Sequence, residues 1–280
     1  MIAAWVDGVE AHSVALDDRG LHYGDGLFET IAASGGRARL LAAHLARLAH
    51  GCAALGIAMP DTARLRAEIA RAAGLAAHVI VKLIVTRGSA TGRGYAAAGN
   101  ETPRRIVCAY AWPGGPEHAP EPARVAVAQR RVADRPLLAG VKHLNRLEQV
   151  LARTEARERG LDEALLCTDD GRIVSGGMTN LFLAAGDRLV TPPAGQCAVA
   201  GVMRAATIDC ARRLGLHVEE RSIGLAELAA TGSAWLTNAR VGLWPVARLE
   251  DRALAEHPAT RPLQAALQAA LRAAAEVPDA

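Results

Sequence analysis

A single lysine, Lys142, stands between two apolar residues, Leu137 and Leu138, and a stretch of helical spacing that starts near Asn145. A lysine at the edge of an apolar pocket loses the hydration that favours its ammonium form. Its pKa therefore falls, and its amine becomes a usable nucleophile. A lysine beside a helix start is more often a solvated surface charge, so the other chemistry-bearing segments have to decide between the two.

Five further segments place glycine or apolar residues next to charged or hydroxyl side chains. They are residues 19–30 (RGLHYGDGLFET), 44–48 (HLARL), 86–95 with its parts TRGS and GRGY, 179–182 (TNLF) and 201–204 (GVMR). Together with Lys142 they resemble the fold-type IV pyridoxal-phosphate enzymes, and the likeness runs from Asp7 to Pro245. Within that family, GRGY and the run from Lys142 to Val150 are most similar to the aminodeoxychorismate lyases, which release 4-aminobenzoate for folate synthesis.

The resemblance gives the catalytic role to Lys142. It implies pyridoxal 5'-phosphate as the cofactor, held covalently by the Lys142 amine. Once the amine of a substrate has displaced the lysine, Lys142 is free to act as a general base at the carbon that bears this amine.

Phosphate-binding groups are expected in two regions of the chain. Arg47 matches the arginine that binds the cofactor phosphate in this family. A glycine precedes Val202 and Met203 at a predicted helix start, where the first amide groups lack partners and attract an anion. Thr237 and Asn238 follow a short predicted strand and are expected to add polar donors.

Ser175 departs from the family pattern, which usually has a glutamate at this position. That glutamate keeps the pyridine nitrogen of the cofactor protonated, whereas a serine hydroxyl can hydrogen-bond the nitrogen but holds a proton there far less well. The electron sink is therefore weaker. A reaction that expels pyruvate tolerates this better than transamination does, because it yields an aromatic ring, so Ser175 favours a lyase.

The substrate site has to bind two carboxylates, one on the ring and one on the enolpyruvyl arm. Arg87 and Arg93 are candidates because a guanidinium fork matches a carboxylate and both lie on a glycine-rich loop. Ordinary loop arginines are the alternative. Tyr95 and Phe28 are expected to line the pocket or a subunit boundary, and Asn145 to hydrogen-bond the cofactor or the substrate.

These assignments predict a lyase that converts 4-amino-4-deoxychorismate to 4-aminobenzoate and pyruvate. A branched-chain or D-amino-acid aminotransferase of the same fold is the alternative, although it would need a bidentate carboxylate trap in place of the loop with Arg93 and Tyr95. A carrier that holds pyridoxal phosphate without turnover is the third interpretation, since one fold hosts several functions. The expected partners are a small dicarboxylate substrate and a second copy of the chain in a homodimer.

Composition argues against several other classes of protein. The net charge is +3 with both signs interleaved, so no nucleic-acid partner is expected. Five scattered cysteines without a Cys-x-x-Cys pair indicate a reducing compartment. His22, His44 and His143 lack metal-ligand spacing, so no metal site is expected. Since no apolar run reaches bilayer length and the N-terminus lacks a signal-like pattern, we expect a cytoplasmic protein without a membrane partner.

The 280 residues are predicted to form a two-domain fold-type IV architecture of the α+β or α/β class, with the site between the domains. Residues 113–122 contain four prolines and two glycines, which indicates a linker between domains at 1–112 and 123–280. Predicted helices cover 40–55, a segment after Asp61, 145–159, 203–214 and 261–275. Predicted strands cover 79–86, 105–111, 124–129, 181–184, 188–191 and 234–236, with hairpins at 4–11 and 163–175.

Overall fold

The chain divides into two compact units in a computed structural model. The structure describes residues 1–89, 92, 94–117, 120–134, 137–196 and 199–276. Within these ranges, the first unit comprises residues 1–117, 141–145 and 271–276, and the second comprises 120–140 and 146–270. The two-unit architecture of mixed helices and sheets confirms the predicted fold class. The predicted domain limits, 1–112 and 123–280, stay a prediction.

The first unit is built on a six-stranded antiparallel sheet. Its elements in chain order are β1 (Ala3–Val6), β2 (Val9–Glu10), α1 (Arg19–Tyr23), β3 (Gly26–Ser34), β4 (Arg37–Ala38), α2 (Leu41–Leu55), α3 (Thr62–Ala73), β5 (His78–Thr86) and β6 (Arg104–Ala111). The strands lie in the order β2-β1-β6-β5-β3-β4. The long central strands β3 and β5 therefore lie side by side, and α2 packs against β3.

Alternation along β5 explains why one face of this sheet is the core. Val79, Val81, Leu83 and Val85 are each 0% exposed, whereas the residues between them are half-buried. Successive strand side chains point to opposite faces, so these four form a continuous apolar surface. The buried stripes of α2 and α3 join the same core cluster.

The second unit contains a nine-stranded mixed sheet. Its elements are β7 (Ala123–Val127), α4 (Leu147–Glu158), β8 (Glu163–Cys167), β9 (Ile173–Gly176), β10 (Asn180–Ala185), β11 (Arg188–Thr191), α5 (Val202–Arg213), β12 (His217–Glu220), α6 (Leu225–Ala230), β13 (Ser233–Asn238), β14 (Gly242–Leu249), β15 (Arg252–Ala253) and α7 (Thr260–Ala273), whose last three residues belong to the first unit. The strands run β12-β11-β10-β13-β14-β7-β8-β9, and β15 pairs with β14. The pairs β7–β8, β7–β14 and β11–β12 are parallel.

Aromatic side chains are scarce in both cores. The four tryptophans are all buried: Trp5 and Trp112 in the first unit, Trp235 and Trp244 in the second. The indole N–H of Trp235 donates a hydrogen bond of 2.9 Å to Thr260 Oγ1, so the polar edge of the ring is satisfied inside the core. Among the described residues, no helix is both long and apolar enough to cross a bilayer.

Candidate active site

The segment that carries Lys142 runs beside β3. The amide of Phe28 donates to the carbonyl of Lys142 at 3.0 Å, and the amide of Leu144 donates to the carbonyl of Gly26 at 2.9 Å. The residues on either side of the lysine are buried, whereas Lys142 itself is half-buried. This extended pairing fixes the backbone of Lys142 against a central strand of the sheet.

The amine of Lys142 lies over an aromatic ring. Its Nζ is 4.0 Å from the centroid of the Phe28 ring, and Lys82 Nζ is 5.5 Å from the same centroid. The ring face attracts an ammonium group. Phe28, predicted as a pocket residue, is therefore a direct neighbour of the predicted nucleophile.

Arg47 belongs to a buried cluster with Glu29 and His44. Arg47 donates to Glu29 from Nε at 2.8 Å and from Nη2 at 2.5 Å, and His44 Nδ1 lies 2.6 Å from Glu29 Oε2. The Glu29 side chain is 1% exposed. The pair with Glu29 uses Nε and Nη2 of Arg47 and so fixes the plane of its guanidinium group.

Burial and charge set the protonation of this cluster. Burial alone would raise the pKa of the Glu29 carboxyl, but hydrogen bonds from Arg47 and His44 outweigh it and hold that pKa well below its usual range. Burial lowers the pKa of His44, and the nearby charges of Arg47 and Lys142 lower it further despite the attraction of Glu29. We therefore assign a neutral His44 that donates from Nδ1. Within the described part of the chain, its buried Nε2 has no hydrogen-bond partner.

Asn145 contacts the backbone of the segment that leads into β3. Its Nδ2 donates to the carbonyl of Gly24 at 3.0 Å. Gly24 has a φ of 64°, and a Cβ at this position would meet the Asn145 amide at 2.7 Å, so both the backbone conformation and the contact require glycine. The predicted hydrogen bond from Asn145 to cofactor or substrate stays a prediction.

Arg87 is engaged by other protein groups. It donates to the Asp25 carboxylate from Nε at 2.8 Å and from Nη2 at 3.2 Å, and to the carbonyls of Leu55 and Gly56 at 2.7 Å each. A substrate carboxylate would have to displace these partners. The geometry therefore gives Arg87 a structural role, and its predicted contact with substrate stays a prediction.

The predicted substrate loop contributes Tyr95. Its side chain is 87% exposed, and its ring meets that of Tyr23 edge-on with centroids 5.5 Å apart. Arg93 lies outside the described residues, so its predicted substrate contact stays a prediction.

In the second unit, the start of α5 offers an anion site. Gly201 is the N-cap residue and has no side chain. The amides of Val202 and Met203 in the first turn therefore receive no side-chain hydrogen bond from the N-cap residue. A Cβ on Gly201 would collide with Asn180 Oδ1, which explains the glycine. α5 packs against β13, where Thr237 Oγ1 is buried and has no hydrogen-bond partner in the described structure.

These features fit the phosphate of the expected cofactor. A buried hydroxyl without a partner is rare in folded proteins and points to a group that completes it. Free amides at a helix start favour a negative charge. Thr237, Val202 and Met203 are thus suited to hold a phosphate. Asn238 Oδ1 accepts from the amides of Arg240 and Val241 at 3.0 Å each and shapes the turn after β13, so its predicted contact with the cofactor stays a prediction.

Ser175 is buried in β9 and donates to the carbonyl of Gly176 at 2.8 Å. The hydroxyl proton is therefore directed at the backbone. The carboxylate of Glu163 also takes part in hydrogen bonds within the chain. It accepts from the Met178 amide and from Thr179 Oγ1 at 3.0 Å each. Glu163 thus fixes the turn that follows Ser175.

Several of these residues were not assigned a role from the sequence alone. Glu29 and Asp25 lie inside the segment 19–30, where charged residues stand beside two aromatic residues in a chain that is only 3% aromatic, and this was the available signal. Glu163 opens an otherwise apolar strand, which is also visible in the sequence. In the described part of the chain, no group of three or more His, Cys, Asp or Glu residues could hold a metal ion.

Comparison with known proteins adds independent findings. The family model for class IV amino-transferases matches residues 26–249. The aminodeoxychorismate lyase of Vibrio harveyi is 32% identical over 244 residues, which cover 86% of this chain and 89% of the relative. A putative branched-chain-amino-acid aminotransferase of Methanocaldococcus jannaschii is 32% identical over 256 residues, covering 89% and 87%. The crystal structure of 4-amino-4-deoxychorismate lyase from Pseudomonas aeruginosa has a TM-score of 0.88 and 43% identity, and covers 95% of this chain and 98% of that one.

Proposed function

The chain belongs to the class IV aminotransferase family, and we propose that it is the lyase that converts 4-amino-4-deoxychorismate to 4-aminobenzoate and pyruvate. It is a pyridoxal-phosphate-dependent enzyme, as its family and its similarity to two aminodeoxychorismate lyases indicate. The lyase reaction needs no water: the C–O bond between the ring and the enolpyruvyl arm breaks, the ring loses one proton, and the released enolpyruvate takes up one proton to become pyruvate.

Pyridoxal phosphate, when bound, supplies a carbonyl that captures amines and a ring that accepts electron density. Lys142 Nζ would hold it covalently and, after displacement by the substrate amine, remove the proton from the ring carbon that bears this amine. The Phe28 ring, 4.0 Å from the lysine amine, favours a position of the base over its face. Val202, Met203 and Thr237 are suited to bind the phosphate, and the family resemblance assigns the same role to Arg47.

The hydroxyl group at position 175 is the observation that favours a lyase over an aminotransferase. By resemblance, this position faces the cofactor nitrogen, and here it offers a buried hydroxyl whose proton goes to the Gly176 carbonyl. A hydroxyl cannot stabilise a protonated pyridine nitrogen as a carboxylate does. Aromatisation of the ring drives the lyase reaction, so it depends less on that proton than transamination does.

A branched-chain or D-amino-acid aminotransferase is the second candidate. The identity of 32% with the putative branched-chain-amino-acid aminotransferase of Methanocaldococcus jannaschii favours it as strongly as the identity with the Vibrio lyase favours the first. The two functions share the lysine and the phosphate site. They differ in the demand on the ring nitrogen and in the group that the substrate loop has to bind.

We also propose a homodimer and a substrate site that includes Tyr95 and Arg93. The substrate is a small dicarboxylate, and arginine is suited to bind either of its carboxylates. Sedimentation of the purified protein measures the oligomeric state directly, and a monomer at micromolar concentration would contradict the dimer.

The decisive experiment supplies freshly generated 4-amino-4-deoxychorismate and measures 4-aminobenzoate, with transamination of D-alanine and branched-chain amino acids measured in parallel. We expect lyase turnover and slow transamination from the native enzyme, and a relative rise in transamination from Ser175→Glu. Brisk transamination without 4-aminobenzoate would support the aminotransferase instead. Borohydride reduction followed by peptide mapping should place the cofactor on Lys142, and a label on Lys82, the other lysine of the chain, would refute that site.

A further inference from the structure

Asp25, between α1 and β3, shares its carboxylate between two arginines. Arg19 Nε donates to Asp25 Oδ2 at 2.9 Å, and Arg87 donates to the same oxygen from Nε at 2.8 Å. The Arg19 side chain is 5% exposed, and those of Asp25 and Arg87 are 14% exposed. Two largely buried guanidinium groups therefore share one carboxylate. Such a pairing fixes the position of both arginine side chains.

The remaining donors of Arg19 reach the loop that carries Tyr95. Nη2 donates to the Tyr95 carbonyl at 2.6 Å and Nη1 to the Gly94 carbonyl at 3.3 Å. The guanidinium carbon lies 5.0 Å from the centroid of the Tyr23 ring, and that ring contacts the ring of Tyr95. The backbone at 94–95 is thus held by charged donors, although the side chain of Tyr95 projects into solvent.

The remaining donors of Arg87 reach the C-terminal end of α2. They bind the carbonyls of Leu55 and Gly56, which terminate the helix that carries Arg47. The residue before Asp25, Gly24, accepts a hydrogen bond from Asn145, three residues after Lys142. One carboxylate therefore lies where the lysine segment, the end of α2 and the loop at 94–95 meet.

We propose that Asp25 and Arg19 are positioning residues that hold the Gly94–Tyr95 backbone in the place where it meets the carboxylate-bearing part of the substrate. This inference rests on the proposed function, because it takes the loop as part of the substrate site. Neither residue contacts the reacting atoms. Without the carboxylate, Arg19 and Arg87 would repel each other, and Arg19 would lose the anchor that directs its Nη atoms at the loop.

Hydrogen exchange of the loop amides tests, without substrate, whether Arg19 and Asp25 hold the Gly94–Tyr95 backbone. Arg19→Gln removes the charged donors, so the peptide that contains residues 94–96 should exchange faster, by about tenfold or more. Arg19→Lys keeps the charge but lacks the planar fork that spans Asp25 and two carbonyls, so it should show an intermediate effect. Arg105→Gln is the matched control, since it breaks a similarly buried pair in the same unit, between Arg105 of β6 and Glu68 of α3.

Steady-state kinetics test the role in the substrate site. For Arg19→Gln and Asp25→Asn we expect KM for 4-amino-4-deoxychorismate to rise by about tenfold or more, while kcat changes by less than about threefold and cofactor occupancy is unchanged. Arg105→Gln should leave all three values unchanged. Arg19→Lys keeps the test valid if Asp25→Asn does not fold.

Two results would overturn the proposal. Loop exchange that is unchanged in folded Arg19→Gln would show that the loop does not depend on Arg19. Faster exchange with an unchanged KM would show that the held segment does not serve the substrate. If the native enzyme makes no 4-aminobenzoate, the proposed function fails, whereas the exchange data still decide whether Arg19 and Asp25 hold the loop.

Discussion

Glu29 combines two neighbours with different charge states. It binds the permanent cation of Arg47 through two hydrogen bonds and receives a third from a neutral His44. A bidentate pair with a buried carboxylate fixes the plane of the guanidinium group. The orientation in which Arg47 could meet a phosphate is therefore set before any ligand arrives, and Glu29 is the residue that sets it.

Replacing Arg47 should weaken cofactor binding. Arg47→Ala removes a charge-assisted contact of about 1.5–3 kcal/mol, so the Kd of pyridoxal phosphate should rise by about one to two orders of magnitude. It also leaves Glu29 buried without its cation, so the unfolding free energy should fall. Equilibrium titration of cofactor-free enzyme measures the affinity. Arg64→Ala, an exposed arginine on α3, is the control, and an affinity equal to wild type in folded Arg47→Ala would remove Arg47 from the phosphate site.

Glu29 should also govern stability in acid. Its folded pKa is about 2, below the ordinary value of 4.5. A depressed carboxyl pKa adds stability that is fully present above about pH 4.5 and is lost as the pH falls through about 2. Glu29→Gln cannot titrate, so the stability difference from wild type should be constant from pH 5 to 7 and shrink below pH 4.5. Urea unfolding at several pH values tests this, with the exposed Glu10→Gln as control, and a difference independent of pH down to 3 would contradict it.

The elements that position the site differ in how readily a sequence reveals them. Helix α2 was predicted nearly to the residue because its apolar spacing is regular and Gly56 ends it with a φ of 62°. Strand β3 was not predicted, although it carries Phe28 and Glu29. Its buried face includes a glutamate, and its other face includes the apolar Phe28 and the buried Ala32, so the sequence lacks the simple apolar–polar alternation that identifies a strand.

Predictability of the site follows the same division. Lys142, Phe28 and Asn145 could be assigned to one region because the motif around them is contiguous, and the structure brings them to one edge of β3. The engagement of Arg87 by Asp25 could not be predicted. It depends on the turn from α1 into β3, whose geometry no local pattern specifies. In the sequence, a loop arginine beside glycines looks the same whether it binds a ligand or a carboxylate of the chain itself.

Gly201 tests the anion site at the start of α5. In Gly201→Ala the added methyl group would meet Asn180 Oδ1 well inside contact distance, so Asn180 or the helix start must move. We expect a loss of about 1–3 kcal/mol in unfolding free energy and weaker cofactor binding, because the amides of Val202 and Met203 shift with the helix. Gly195→Ala, where nothing lies within 4 Å, is the control. Unchanged cofactor affinity in Gly201→Ala would separate this helix start from the phosphate site.

At the scale of the whole molecule, the residues predicted to bind the phosphate belong to both units. Arg47 belongs to the first, and Val202, Met203 and Thr237 belong to the second. A ligand that binds the folded protein and not the unfolded chain stabilises the folded state by mass action. Cofactor binding and global stability are therefore expected to be linked.

Removal of the cofactor should lower thermal stability. A free cofactor concentration of about 100 Kd adds about 2.7 kcal/mol, which corresponds to about 5–10 °C in Tm for a chain of this size. Scanning calorimetry of the enzyme with and without added pyridoxal phosphate measures the shift. Pyridoxal without the phosphate is the control and should give a smaller one. Equal shifts from both compounds would mean that the phosphate contacts contribute little.

The distribution of tryptophan allows intrinsic fluorescence to report on each unit. Two buried indoles lie in each unit, and the chain has no others. Trp112 and Trp5 each lie under an arginine, with the guanidinium carbon 5.4 and 4.4 Å from the ring centroid. The indole N–H groups of Trp235 and Trp244 instead donate to oxygen atoms. The emission of each pair therefore responds to a different environment, and unfolding of either unit alone would shift the emission of its own pair to longer wavelength.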